Sequence, residues 1–329
     1  MRLRFVCFLI VCLASLSYSS GKASSSKFIE VSKVQDILDE AEYPTKKMRE
    51  LKDDPAGASL AKSYEMFVAL LETKDSSLID SVRLSRRTFF ERWKQESDSI
   101  CGTVGASDSM AFEIRSIYEA ALRLDIEEEY DFELKKRDSL HYEERKDVSF
   151  ENKVEYLRAN INKGLMARFF VVENQVAYLV TPAKTLEELT TIVHSRSPFY
   201  GGENRKVSNM ACMEKNPMGQ EVLVLTEKYS FLLDAFMGVN REHESWFPPH
   251  KESWLKRTFL ESAISVAGKH WGNGYHYESF PSIMSVVFNE NRTLAILNVM
   301  SSYCTGGNFT LVKNAGIWKA VKSNASFIL

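Results

Sequence analysis

The sequence predicts an α+β protein, a helical N-terminal region followed by helices packed on an antiparallel sheet that ends in a β-meander. Three observations carry that expectation. Apolar residues recur at helical spacing from Phe28 to about Asn162. Near Leu165 the period changes to alternation, the mark of half-buried strands. From Ser282 onward, four apolar runs are separated by short Asn- and Gly-containing turns, which join antiparallel neighbours.

The elements follow in chain order. Arg2 and Arg4 precede the apolar run Phe5–Leu16, and small residues at Ser17, Ser19, Ser20 and Gly21 come next. Basic residues, a short apolar core and small residues form a cleavable export signal. The apolar run is too short to span a bilayer. Cys12 lies within that run and follows Val11, so a lipidation site is not expected. Residues 1–19 are therefore read as the signal and 20–27 as a flexible tether. Residues 28–162 form a mainly helical region, and 163–329 an α+β region. The mature chain is expected to be secreted or periplasmic, with no integral membrane segment.

In the helical region, Leu60, Tyr64, Phe67 and Leu71 share one face. Ile79, Val82, Phe89, Phe90 and Trp93 continue the pattern, and Met110, Ile114, Ile117, Tyr118 and Ala121 form another stripe. Ser107 or Asp108 is the expected N-cap of that stripe. Asp54-Pro55-Ala56-Gly57 and Cys101-Gly102-Thr103-Val104-Gly105 are expected to interrupt the helices. Glu127–Lys146 is read as a solvated helix face with a loop near Asp138-Ser139.

Past Leu165, strands 166–172 and 176–180 flank Glu173-Asn174-Gln175 as a hairpin. Thr185 with Glu188 three residues on is a capping box that opens a short helix. Strands are expected at 207–213 and 221–226, around Asn216-Pro217-Met218-Gly219. A helix at 253–267 stops at Gly268. The meander strands are 282–288, 293–300, 309–313 and 317–322.

The run Gly306-Gly307-Asn308-Phe309-Thr310-Leu311-Val312-Lys313-Asn314-Ala315-Gly316-Ile317-Trp318-Lys319 resembles the closing meander of uncharacterised exported bacterial proteins. A helix followed by long antiparallel strands also resembles the end of NTF2-like domains. The resemblance implies a sheet and an exported class. It implies no activity, because its residues are turn and strand residues.

Charge narrows the function. The chain has 42 Lys+Arg and 44 Asp+Glu, a net of −2. Loss of Arg2 and Arg4 leaves 40 − 44 = −4. A mildly acidic surface gives no reason to bind nucleic acid. Five cysteines become three once Cys7 and Cys12 leave with the signal. Cys212 and Cys304, both in the strand-rich second half, are the preferred disulfide pair, worth roughly 4–5 kcal/mol by loop entropy. Three unpaired buried thiols are the alternative.

One segment combines the residue types of a site. His270, Trp271, Tyr275, His276, Tyr277 and Glu278 join two histidines, aromatic rings and a carboxylate, with Gly272 and Gly274 between them. His243 and His250, near Trp246, are candidates to approach it. The spacing matches no zinc motif, so neither a metal nor another cofactor is expected. His243-Glu244 has Phe247 where a second metalloprotease histidine would stand. Ser59-Leu60-Ala61-Lys62 lacks a Lys-Thr-Gly partner, and Gly105-Ala106-Ser107-Asp108-Ser109 lacks the closing glycine of a nucleophile elbow. Sequons at Asn291, Asn308 and Asn324 matter only if the chain comes from a eukaryote.

These readings favour a non-catalytic protein that binds a small molecule or another protein. An exported hydrolase with a site near His270–Glu278 is one alternative. An envelope assembly protein that exposes an apolar stripe on its helical half is the other.

Overall fold

A computed structural model describes residues 51, 53–103, 108–160, 167–195, 206–209, 213, 215–239, 251–268, 274–300 and 305–328. The expected signal and tether lie outside the described residues. The described elements are α1 (Pro55–Thr73), α2 (Leu78–Thr103), α3 (Ser109–Arg137), a 3-10 turn (Ser139–His141), α4 (Tyr142–Arg145) and α5 (Phe150–Asn160). Next come β1 (Phe169–Glu173), β2 (Gln175–Thr181), α6 (Leu186–Ser195), β3 (Lys206–Asn209), β4 (Glu221–Leu225), α7 (Glu227–Met237) and α8 (Lys251–Glu261). The chain continues with β5 (Ala267–Gly268), β6 (Tyr275–His276), β7 (Ser282–Asn289), β8 (Leu294–Met300), β9 (Thr305–Asn314) and β10 (Ile317–Ile328). The fold is α+β, with a mixed sheet that closes in an antiparallel meander.

The chain divides into two compact units. One comprises Met1–Phe89, Phe236–Gly238 and Pro248–Phe259; the other comprises Phe90–Ala235, Val239–Phe247 and Leu260–Leu329.

In the first unit, Asp54-Pro55-Ala56-Gly57 breaks the helical chain as expected: Leu51 and Asp53 are helical, Asp54 leaves the helix, and a new helix opens at Pro55. The Asp54 carboxylate accepts from the N–H groups of Ala56 and Gly57 at 2.7 and 3.1 Å. Pro55 takes the first helical position, where no N–H is needed. The stripe read from the sequence faces inward at Leu60 and Tyr64. Ser63 donates to the Val82 carbonyl at 3.1 Å and Ser59 to that of Ser85 at 3.1 Å, which ties α1 to α2. These bonds give Ser59 a structural role. The rings of Tyr64, Phe67, Phe236 and Phe259 pack together, and the Lys256 ammonium lies over Tyr64 and Phe236.

The second unit holds the sheet, in the order β10-β9-β8-β7-β2-β3. Asp108 caps α3, as its sequence predicts, and accepts from Met110 and Ala111. The stripe Ile114, Ile117, Tyr118 and Ala121 packs on the sheet face that carries Leu297, Val299, Phe309 and Leu311. On the other face, Leu189 and Val193 of α6 cover Val287 and Ile296. The capping box is formed: Glu188 N–H donates to Thr185 Oγ1 at 3.2 Å, and the Glu188 carboxylate accepts from the N–H of Thr185 at 3.4 Å. Glu113 of α3 accepts from Lys313 and from the Trp318 indole, which anchors the meander turn to the helix.

Four expectations need correction. The 166–180 segment is no hairpin. β1 pairs parallel with β4, whereas β2 joins the large sheet beside β3 and, parallel, beside β7. The single residue between the two strands is too short for a turn, so the chain changes sheets there. Cys101 and Gly102 lie in the last turn of α2 instead of in a loop. The helix expected through Ala267 ends at Glu261, because the Ala263 carbonyl accepts from Phe169 of β1 at 2.9 Å. Gly306 and Gly307 belong to β9, paired with Met300 and Val299.

Among the described residues the β1–β4 ribbon has no further strand on either side, so side chains and turns serve its edges. The Trp93 indole donates to the Val224 carbonyl at 2.8 Å, and Ser97 Oγ accepts from the Val224 N–H at 3.0 Å. On the opposite edge, Ser279 N–H donates to the Val171 carbonyl at 2.8 Å, while its hydroxyl accepts from Val171 N–H at 2.9 Å. A buried β-edge left without such partners would cost free energy comparable to lost hydrogen bonds.

A polar row crosses the large sheet. Ser285, Asn298, Asn308 and Asn324 are successive register partners on β7, β8, β9 and β10. Asn298 Nδ2 donates to Ser285 Oγ at 3.0 Å, and Asn324 Nδ2 donates to Asn308 Oδ1 at 3.2 Å.

Candidate functional site

Of the residues singled out by sequence, Tyr275, His276 and Glu278 fall within the described residues; His243, His250, His270 and Trp271 lie outside them. β6 carries Tyr275 and His276 and pairs with β5 at Gly268 and Ala267. Tyr277 follows, buried, and its hydroxyl donates to the Asp234 carboxylate at 2.9 Å. Glu278 then precedes Ser279, whose two bonds to Val171 lay this segment along β1. The extended stretch therefore runs beside the strand that ends at Glu173.

That placement creates a cluster the sequence does not announce. His276 Nδ1 lies 3.6 Å from Glu278 Oε2, and the two side chains are each only 19% exposed. Burial, with the charge of Glu278 as the second cause, raises the Glu173 carboxyl from its ordinary 4.5 to about 7. Tyr118 is buried, its hydroxyl donating to the Pro281 carbonyl, and burial, followed by the charges of Asp125 and Glu173, holds its proton more tightly. Asp125 is itself raised from 3.8 to about 7, by burial first and then by Glu129 and Glu128. The rings of Tyr275 and Tyr277 approach at 6.3 Å, and His276 meets Phe280 at 6.1 Å.

Glu173 and Asp125, two carboxyl groups that titrate near neutrality, can exchange protons with solvent at physiological pH. They also present buried negative charge that a cation would neutralise. Among the described residues no group of three or more His, Cys, Asp or Glu is disposed to hold a metal ion.

Sequence reasoning missed Glu173 and Asp125 for different reasons. Glu173 read as a turn residue, since the hairpin that was expected around it would have placed it at the tip. Asp125 carried a usable signal: it stands four residues after Ala121, on the stripe that faces the core, where a carboxylate is costly.

Cys101 is disulfide-bonded. It is the one cysteine among the described residues, and the expected pair Cys212 and Cys304 lies outside them. Peptide mapping of the non-reduced protein is expected to recover Cys101 cross-linked to Cys212 or Cys304. Recovery of Cys101 as a free thiol, with Cys212 joined to Cys304, would reverse the assignment.

No protein-family model matches the chain, nor does any curated protein or solved structure.

Proposed function

We propose that this chain is an exported, secreted or periplasmic ligand-binding protein that captures a small organic cation at the Glu173–His276–Glu278 cluster. The observation that carries the reading is the pair of carboxyl groups: Glu173 keeps its proton to about pH 7, first because it is shielded from water and second because Glu278 is close. An ammonium group between them would supply the charge that burial withholds, and aromatic rings such as Tyr275 and Phe280 present faces suited to cations. The basic, apolar and small residues at the N-terminus support export. No helix among the described residues is long and apolar enough to cross a membrane.

Calorimetry with tetramethylammonium and spermidine is the test. Binding is expected to strengthen from pH 6 to pH 8, by up to about tenfold per unit while the ligand displaces a proton. Glu278→Gln should weaken it about tenfold or more. Affinity for neither probe at either pH would sink the reading.

A second reading, an exported hydrolase, is favoured by one particular: Glu173 retains its proton to about pH 7 near Glu278, the carboxylate that faces His276. General acids are tuned in this way. Turnover of chromogenic esters or glycosides, abolished in a folded Glu173→Gln protein, would replace binding with catalysis. The assembly reading has less support, since the exposed Phe112 and Phe132 stand at opposite ends of α3, each beneath a cation, Arg115 and Lys136 respectively.

A further inference from the structure

We propose that Asn291 is the N-glycan acceptor of this chain when it is made in a eukaryotic secretory pathway, and that the folded product carries no glycan at Asn308. The proposal rests on the export reading and on the geometry of the sequons.

All three sequons satisfy the same short pattern, so the sequence treats them alike. Their surroundings do not. Asn291 is exposed at the tip between β7 and β8. The turn is built by its neighbour: Asn289 Oδ1 accepts from the N–H groups of Thr293 and Leu294 at 2.8 and 2.9 Å, and Asn289 Nδ2 donates to Thr293 Oγ1 at 3.1 Å. Arg292 N–H donates to the Asn289 carbonyl at 3.0 Å, with Arg292 in the left-handed region at φ 51°. Asn289 thus closes the tip, and the Asn291 side chain is not used to hold it. A large, hydrated sugar chain at such a tip displaces no packed group.

Asn308 is the opposite case. It sits on β9, an inner strand, at 8% exposure, between its register partners Asn298 and Asn324. Its hydroxyl partner in the sequon, Thr310, is buried on the same strand. A sugar on Asn308 Nδ2 would have to enter the polar row, so a chain modified there cannot complete the sheet. Asn324 is half-buried, and the nitrogen that would bear its sugar is the one that donates to Asn308. Both asparagines have a structural purpose that accounts for them.

The reaction transfers an oligosaccharide from a lipid-linked diphosphate donor. A bond forms between the Asn291 amide nitrogen and the sugar C1, the bond from C1 to the diphosphate oxygen breaks, and the amide loses one proton.

The experiment expresses the full chain in cultured insect cells, once with its own leader and once with that leader replaced by a proven secretory one. Protein from the medium is treated with an amidase that releases N-glycans in heavy-oxygen water, which marks each former acceptor as a labelled aspartate. A label on Asn291 alone is expected, together with a mobility shift that is absent in Asn291→Gln. A label on Asn308, or no label on Asn291 in protein that reached the medium, overturns the proposal. If only the chain with the replaced leader is secreted, the export reading fails and the glycan result still stands.

Discussion

Replacing Glu173 by glutamine is expected to stabilise the protein above pH 7 and to leave it nearly unchanged at pH 4. The folded state holds the Glu173 proton to about pH 7, whereas an unfolded chain releases it near 4.5. A carboxyl whose pKa is raised by folding favours the folded state at low pH. That advantage is complete below pH 4.5, declines as the pH rises towards 7, and is gone above it. Glutamine cannot ionise, so the variant escapes the decline. The difference should reach on the order of 3 kcal/mol at alkaline pH, from about 1.4 kcal/mol per pH unit. Asp125→Asn should behave alike, since its carboxyl is raised to about 7 by burial and by Glu128 and Glu129. Urea unfolding of both variants between pH 4 and 9 provides the check. Parallel stability curves for wild type and variant would show that folding does not raise the Glu173 carboxyl.

Trp93→Ala is expected to be the most damaging single truncation. The side chain is fully buried, stacks on Tyr229 at 4.6 Å between centroids, and donates its indole N–H to Val224. Emptying a site of that size costs about 3–5 kcal/mol. The Val224 carbonyl then lacks its partner. Trp93→Phe fills most of the space and forfeits only the hydrogen bond, for about 1–3 kcal/mol. Urea midpoints separate the two variants, and equal losses would show that the hydrogen bond outweighs the packing.

The contrast between elements explains how far the sequence could be read. Features specified within a few residues were legible: the Asp108 cap, the Thr185–Glu188 box and the Asn/Gly turns of the meander. Each is a local bargain between a side chain and nearby backbone. Features decided at long range were not. The Phe169–Val172 and Val176–Val180 runs have the same composition whether they pair with one another or part company. Only the arrival of β4 and β7 decides the matter. Two of the three residues of the candidate cluster were legible for their chemistry, since His276 and Glu278 stand close together in the chain. Glu173 joins them only because Ser279 lies against Val171, a contact between residues more than a hundred positions apart.

The β1–β4 ribbon also limits how the polypeptide can be shortened. Its outer bonds come from Trp93 and Ser97 upstream and from Ala263 and Ser279 downstream. A fragment that begins after Ser97 or stops before Ser279 therefore leaves an apolar strand with open amides and carbonyls, a template for sticking to other chains. The same exposure attends every molecule still emerging from the ribosome. Until its last fifth is available, the middle of this protein has to be kept apart from its neighbours.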